Sequence, residues 1–207
     1  MVKPDFLQEY RTLLSYIPQP LPLKTAGDRL GYLFEADHAS LPLYFALKGK
    51  HGYALANREE FVTAVRAVVT LAALDYDLVA YPQSRFPFLS DLVAQLPNTV
   101  ELVKRSKSDI VELAQASARW NKLERQSQAR AWAEMGYTFT INLVKSNQRK
   151  HYVPYLFEPV EVPTGWRVLL LDDFIMSGNT IAAGKAALGL AECDCFGVFY
   201  QPAFGRA

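Results

Sequence analysis

The stretch VLLLDDFIMSGNT, from Val168 to Thr180, passes from four aliphatic residues through two aspartates to a turn of small and polar residues. An uninterrupted apolar run of this kind is typical of a strand in the middle of a parallel sheet, where both faces are covered. Asp172 and Asp173 then fall at the carboxyl end of the strand, the edge at which open α/β sheets bind ligands. We predict a central strand over 168–171, a turn, and a helix that begins at about Thr180.

The turn that follows the aspartates indicates an anion site. Ser177, Gly178 and Asn179 favour a tight turn, and the N–H groups of such a turn and of the first helical turn would point to one place. The carboxylates beside it can accept hydrogen bonds from vicinal sugar hydroxyls, so the two features together suit a sugar phosphate. An acidic strand end followed by an ordinary turn also fits, and paired aspartates bind metal ions in receiver and phosphatase domains.

Composition sets wide limits on the function. The 207 residues are enough for one domain with a full core, and 50% hydrophobic with 21% charged residues argues against disorder. A net charge of +1 gives no overall attraction to nucleic acid or membrane. Cys193 and Cys195 are interpreted as buried, reduced thiols on one strand face. Without an apolar signal segment or a helix long enough for a bilayer, we expect a soluble cytoplasmic protein.

Periodicity and chain breakers predict the elements. Helices are expected at 4–17, 57–74, 88–96 and 180–191, and one or two helices at 108–136. Strands are expected at 31–36, 43–49, 77–82, 99–104, 167–172 and 195–200, with 31–36 and 43–49 in a hairpin or small sheet. A second hairpin is expected over 137–160. Strand, helix and strand over 77–104 indicate a right-handed parallel crossover.

The opening stretch resembles the motif of the type I phosphoribosyltransferases that binds 5-phosphoribosyl 1-pyrophosphate (PRPP): four hydrophobic residues, two acids and a phosphate loop, without a gap. The resemblance implies one α/β domain over 1–207, with a parallel sheet flanked by helices. A small hood would come from 1–57, from a helical insert at 108–160, or from both, around a core at 75–107 and 165–200. The carboxyl-terminal half is also loosely similar to ComF-like proteins, and the stretch LVKRSKSD at 102–109 resembles the lysine-rich stretch of orotate phosphoribosyltransferase.

The resemblance assigns roles to individual residues. Asp172 and Asp173 would bind the ribose 2- and 3-hydroxyls. The loop for the 5-phosphate would comprise Met176, Ser177, Gly178, Asn179 and Thr180. The pyrophosphate would be bound by Gln83, Ser84, Arg85, Lys104, Arg105 and Lys107. Arg85 and Lys104 join the two aspartates as predicted catalytic residues, although solvated surface charges remain an alternative for Arg85 and for 104–107.

The implied reaction transfers a 5-phosphoribosyl group from PRPP to a nitrogenous base or related small-molecule acceptor and releases pyrophosphate. Mg²⁺ is the implied cofactor, held by PRPP and through water on Asp172 or Asp173 rather than by direct protein ligands. Met176 stands where the 6-oxopurine enzymes carry an aspartate, so a non-purine acceptor is expected.

Two other functions stay open. One is a regulatory protein that binds PRPP or a nucleotide with little or no catalysis, since a fold does not determine a function. The other is a different magnesium-dependent α/β enzyme of phosphoryl transfer. Neither membrane nor nucleic acid is expected as a partner, and a homodimer is left open.

Overall fold

The computed structural model describes residues 24–25, 29–35, 41–48, 58–117 and 120–201 as an α/β fold. The strands are β1 (Lys24–Thr25), β2 (Leu30–Glu35), β3 (Leu78–Pro82), β4 (Thr99–Leu102), β5 (Val168–Ile175) and β6 (Asp194–Tyr200). The α-helices are α1 (Leu41–Leu47), α2 (Arg58–Ala73), α3 (Phe88–Val93), α4 (Lys107–Ser117), α5 (Lys122–Glu134) and α6 (Asn179–Ala187). None of the helices in these ranges is long and apolar enough to cross a bilayer.

The sheet has the strand order β1-β2-β6-β5-β3-β4. Strands β2, β6, β5, β3 and β4 are all parallel, and β1 pairs antiparallel with β2 at one edge. Because β5 pairs with β6 on one side and β3 on the other, the prediction of a central parallel strand over 168–171 is confirmed. Residues 30–35, within the predicted hood region, belong to this main sheet as β2.

The two faces of β5 enter two different cores. Leu169 and Leu171 pack in a core with Phe61 and Val65 of α2 and Phe88 of α3. The alternate residues of the strand, with the opposite side-chain direction, pack in a second core with α6. Helix α6 lies so close to the strand that a Cβ on Gly184 would stand 2.7 Å from a methyl carbon of Leu170. This coverage on both faces is what the unbroken apolar run predicts.

The segment after β4 forms a helical insert with its own small core. Helices α4 and α5 are followed by three 3₁₀ helices at Ile141–Leu143, Ser146–His151 and Val153–Tyr155. The buried residues of this core are Ile110, Ala114, Trp120, Met135, Val144 and Tyr152. Helix α5 begins with a capping box, in which Asn121 and Glu124 each accept a backbone hydrogen bond of 2.9 Å from the other. The two-helix alternative for 108–136 is therefore confirmed.

Two predicted elements are wrong. Residues 43–49 were expected to form a strand, but 41–47 form α1, because a short apolar run does not distinguish a buried helix from a strand by periodicity. The hairpin expected over 137–160 is replaced by the three 3₁₀ helices, which bury Val144, Tyr152 and Val153. Pro154 also lacks the N–H that a strand ladder needs. The helix expected at 4–17 lies outside the described residues.

The other predicted strands at 31–36, 77–82, 99–104, 167–172 and 195–200 are confirmed, with ends that differ from the prediction by no more than three residues. The parallel arrangement of β3 and β4 is also confirmed. Cys193 and Cys195 are buried free thiols, as predicted, and they lie in the core on the α6 face of the sheet. Cys193 precedes β6 rather than lying within it.

Candidate functional site

A cleft opens where the central strands part. Residues 78–80 of β3 pair with 168–170 of β5, but at its carboxyl end β3 stays with β4 while β5 continues along β6 to Ile175. The last five residues of β5 thus extend beyond the register with β3. The cleft at this point has a volume of about 950 Å³, enough for a nucleotide-sized ligand. A crevice at the carboxyl ends of parallel strands is where open α/β sheets bind ligands.

The two aspartates lie within β5 and not after it. Successive side chains of a strand point to opposite faces, so Asp172 lies toward the α6 face and Asp173 toward the face covered by α1 and α2. Both line the cleft, and they are only 5% and 6% exposed. The backbone N–H of Asp173 donates a 2.9 Å hydrogen bond to Oδ1 of Asp172. The two carboxylates therefore share one cleft but have different surroundings.

Asp172 has the less favourable surroundings for a negative charge. Burial raises its pKa well above the usual range, and the neighbouring Asp173 carboxylate raises it further. Lys48 and hydrogen bonds from the backbone act in the opposite direction. In the folded protein Asp172 thus holds a proton more readily than an ordinary aspartate does.

Helix α1 brings two residues to Asp173 that the sequence analysis did not identify. The Nζ atom of Lys48 forms an ion pair with Oδ2 of Asp173, and both side chains are only 9% exposed. The hydroxyl of Tyr44 donates a long hydrogen bond of 3.5 Å to Oδ1 of the same carboxylate, and burial followed by this charge raises the pKa of Tyr44. The signal was the spacing of four between Tyr44 and Lys48, which places them on one face once 41–47 is a helix.

The turn between β5 and α6 has the predicted form. Gly178 is the N-cap residue and has a φ of 70°, in the left-handed region that glycine adopts without strain. Helix α6 begins at Asn179, one residue earlier than expected. The side-chain amide of Asn179 donates to Oγ of Ser177 over 3.0 Å. All five predicted loop residues line the cleft, with Met176 exposed at the turn.

The opposite wall follows β3 and β4. Gln83 connects the segments that follow these two strands, because its Oε1 accepts a 3.1 Å hydrogen bond from the backbone N–H of Lys104. Oγ of Ser84 likewise accepts from the backbone N–H of Phe86 over 3.2 Å. The side chains of Arg85 and Lys104 are exposed and line the cleft. Of the six residues predicted to bind pyrophosphate, Gln83 and Ser84 therefore shape the wall, and Arg85 and Lys104 present cations to the cleft.

Lys104 is close to the other charges of the cleft. Partial burial lowers its pKa, and the nearby ammonium of Lys48 lowers it further, with a smaller contribution from Arg85. Asp173 and Asp172 act in the opposite direction. The cations of one wall thus interact electrostatically with the carboxylates of the other.

The remaining cations of the predicted run, Arg105 and Lys107, also line the cleft, but their charged groups contact the insert. Nε of Arg105 donates to the carbonyl of Phe157 over 3.0 Å, and its guanidinium lies 3.4 Å from the carboxylate of Glu158. The ammonium of Lys107 donates to three carbonyl oxygens at the end of α5, namely those of Trp132 (2.6 Å), Met135 (3.1 Å) and Gly136 (3.0 Å). A cation at a helix carboxyl terminus is favourable, so both residues attach the insert.

Aromatic side chains lie beside the carboxylates. The rings of Tyr44 and Phe174 have centroids 4.8 Å apart, and both residues line the cleft. The insert contributes Thr138, Phe139 and Thr140 to the lining. The cleft therefore combines carboxylates, the turn before α6, cations and apolar rings.

No family model matches the chain, and no curated protein matches it. Within the described residues, no three His, Cys, Asp or Glu side chains are grouped so that they could hold a metal ion.

Proposed function

We propose that this chain is a phosphoribosyltransferase, which transfers the 5-phosphoribosyl group of PRPP to a nitrogenous acceptor and releases pyrophosphate. The observation that carries the proposal is the meeting, in one cleft, of the carboxylate pair of β5, the turn before α6 and the cations Lys104 and Arg85. A ligand that has a phosphate, a diol and a diphosphate matches these three features.

The 5-phosphate is assigned to the turn at 176–180. Gly178 allows the chain to enter the nine-residue helix α6, whose first residues Asn179 and Thr180 line the cleft, so that the N–H groups of its first turn lie at the cleft end of the helix. These groups have no partner one turn back within the helix, and the helix dipole favours a negative charge at that end. The hydroxyls of Ser177 and Thr180 can add hydrogen bonds to phosphate oxygens.

The ribose hydroxyls are assigned to the aspartates. A carboxylate can accept hydrogen bonds from the 2- and 3-hydroxyls of ribose. These hydroxyls lie near the 5-phosphate on the sugar, and the aspartates likewise lie near the turn on the chain. Because Asp173 is already paired with Lys48, the hydroxyl that reaches it must compete with an ammonium. Asp172, which carries no such ion pair in the described part of the chain, is the more accessible acceptor.

The diphosphate is assigned to Lys104 and Arg85. As the bond between the anomeric carbon and the pyrophosphate oxygen breaks, positive charge develops on the carbon and negative charge on the leaving oxygen. Cations held across the cleft from the ribose site stabilise that developing negative charge. Arginine can also contact two phosphate oxygens at once.

Mg²⁺ is the cofactor that goes with this proposal. Its coordination would have to come largely from PRPP oxygens and water, because the described residues form no metal cluster of their own and Asp173 is already paired. Asp172 and Asp173 are the residues that would hold it, directly or through water. When bound, it would reduce the negative charge on the diphosphate.

The acceptor is proposed to be a non-purine. Met176 is 49% exposed at the turn and offers no proton donor or acceptor for a base. Pyrophosphate release from PRPP should therefore be slow with hypoxanthine or guanine. The same assay with adenine, orotate and uracil identifies the acceptor class, and rapid release with hypoxanthine or guanine would contradict the assignment.

A regulatory protein that binds PRPP without turnover is the second candidate. The described cleft lining contains no histidine to act as a general base. Asp173 is already paired with the ammonium of Lys48. Tight PRPP binding without pyrophosphate release for any acceptor would favour this function.

The proposal is tested by calorimetric titration of PRPP in the presence of Mg²⁺. We expect Asp172→Asn to weaken binding by at least about 100-fold, because an amide NH₂ replaces one of the two buried oxygens that can accept hydrogen bonds from the ribose. The control is the double variant Asp75→Asn with Glu192→Gln, which removes two exposed carboxylates outside the cleft. Unchanged affinity in Asp172→Asn, or no PRPP binding by the unaltered protein, would refute the assignment.

A further inference from the structure

Asp173 has both of its carboxylate oxygens in contact with helix α1. Lys48 forms an ion pair with Oδ2, and the Tyr44 hydroxyl lies 3.5 Å from Oδ1. The Lys48 ammonium also stands 5.0 Å from the centroid of the Tyr44 ring, a distance typical of a cation–π contact. The position that a cation would take at Asp173 is therefore filled by a side chain of the protein.

The ammonium and a divalent cation cannot both stay beside this carboxylate. Two positive charges a few ångströms apart repel strongly in a poorly solvated site, and the pair is largely shielded from water. Lys104 and Arg85 add further positive charge on the opposite wall. Without a ligand, the cleft should thus repel free cations and attract a polyanion.

We propose that Lys48 keeps divalent cations off Asp173 until an anionic ligand in the cleft takes up its ammonium. The identity of that ligand, a diphosphate attached to a diol, rests on the proposed function. The ligand brings a hydroxyl or a cation to Asp173 and supplies phosphate oxygens to Lys48, so that no buried charge loses its partner. Lys48 is in this sense a positioning residue that determines which ligands enter.

The placement of Lys48 supports such an exchange. It follows the last residue of α1 and lines the cleft together with Lys104 and Arg85. Its flexible four-carbon side chain can leave Asp173 while the helix stays in place. The helix itself is attached to the sheet by other contacts, among them the packing of Tyr44 on Phe174 and Phe199.

The test uses Mn²⁺ alone, without any sugar phosphate, and measures its binding by electron paramagnetic resonance. We expect Lys48→Met and Lys48→Gln to bind Mn²⁺ at least about tenfold more tightly than the unaltered protein, because the carboxylate loses its competing cation. Lys150→Met, an exposed change outside the cleft, should leave Mn²⁺ binding unaltered. Lys104→Met removes the same charge from the same cleft without touching the ion pair, and should have less than about a third of the effect.

Two results would overturn the proposal. One is equal Mn²⁺ affinity in Lys48→Gln and the unaltered protein. The other is a gain in Mn²⁺ affinity in Lys104→Met as large as that in Lys48→Met. It would show that Lys48 acts only through the overall positive charge of the cleft. If Lys48→Met does not fold, Lys48→Gln decides, since it keeps a hydrogen-bond donor on Asp173 and removes only the charge.

The outcome is separable from that of the proposed function. A gain of Mn²⁺ binding in Lys48→Gln, together with no PRPP binding by the unaltered protein, would uphold cation exclusion and refute the phosphoribosyltransferase. PRPP binding by the unaltered protein, together with equal Mn²⁺ affinities in Lys48→Gln and the unaltered protein, would support the proposed function and refute cation exclusion by Lys48.

Discussion

The two walls of the cleft are built in different ways. One is a single stretch of chain from Asp172 to Thr180, in which neighbouring residues supply the carboxylates and the turn. The other combines the segments after β3 and β4 with the insert, and it supplies Arg85 and Lys104. A wall made from one stretch keeps its groups together by covalent connection, whereas a wall made from several depends on every contact between them.

The second wall also divides its charges between two tasks. Lys104, Arg105 and Lys107 all line the cleft, but Arg105 and Lys107 donate hydrogen bonds to carbonyl groups of the insert. Neighbouring cations in a run therefore differ in function according to the acceptors that the fold brings to them. On the first wall, by comparison, the two aspartates differ in their partners but both remain at the cleft.

The largest expected effect concerns the ion pair that links α1 to the first wall. Asp173→Asn and Lys48→Met should each lower the free energy of unfolding by about 3–5 kcal/mol, because each leaves one buried charge without a partner. The double variant should lose clearly less than the sum. Urea denaturation followed by circular dichroism measures all three.

The exposed pair of Arg29 and Glu192, 2.9 Å apart with side chains 52% and 67% exposed, provides the control. Glu192→Gln should cost less than about 1 kcal/mol, since exposed ion pairs contribute little. Additive losses in the Lys48 and Asp173 double variant would show that the two side chains do not interact.

The division of the basic run predicts opposite phenotypes for two lysines. Lys104→Met should weaken PRPP binding by about 10–100-fold as a phosphate contact is lost, and should change the free energy of unfolding by less than about 0.5 kcal/mol. Lys107→Met should leave three carbonyls of the α5 end without their donor and cost about 1–3 kcal/mol, with less effect on PRPP affinity. Calorimetry measures the PRPP affinity of the two variants, and urea denaturation measures their stability. If both variants lost affinity and stability alike, Lys104 and Lys107 would not differ in function.

A smaller effect is expected at the turn of the first wall. Gly178→Ala should cost about 1–2 kcal/mol because a Cβ is disfavoured at a φ of 70°. Gly189→Ala is a matched control, since Gly189 has a φ of 66°, has open space for a Cβ like Gly178, and lies outside the cleft. Both should lower stability alike in thermal unfolding, but only Gly178→Ala should also weaken PRPP binding. If Gly189→Ala weakens it equally, the turn is not the phosphate site.

The smallest effect is the pH dependence that comes from Asp172. Its pKa is raised in the folded protein, so between its ordinary value and the raised value the folded state binds more protons than the unfolded state. Stability should therefore fall as pH rises through that window, and the loss should persist above it. Asp172→Asn should remove this slope and be more stable than the unaltered protein at pH values above the window.

Urea denaturation between acid and neutral pH measures this slope, with Asp75→Asn at an exposed position as the control. A slope that survives in Asp172→Asn would mean that another group is responsible. Because Asp173→Asn is expected to destabilise, opposite signs for the two aspartates would also confirm their different surroundings.

The sequence by itself determined the central strand and the turn into α6, but not that the strand continues past the aspartates to Ile175. These features depend on neighbours along the chain: an apolar run needs cover on both faces, and Gly178 permits a left-handed residue before a helix. The parallel arrangement of β3 and β4 also followed from the sequence. Two strands joined by a helix in one sheet usually form a right-handed crossover and are then parallel.

Only the tertiary structure decided which charges meet. The helical state of 41–47 depends on the sheet face that it covers, and that state brings Lys48 to Asp173. Likewise, Arg105 and Lys107 contact the insert because its carbonyl groups lie within reach. A buried charge is stable only beside a partner, and a partner more than 100 residues away along the chain is chosen by folding, not by any local pattern.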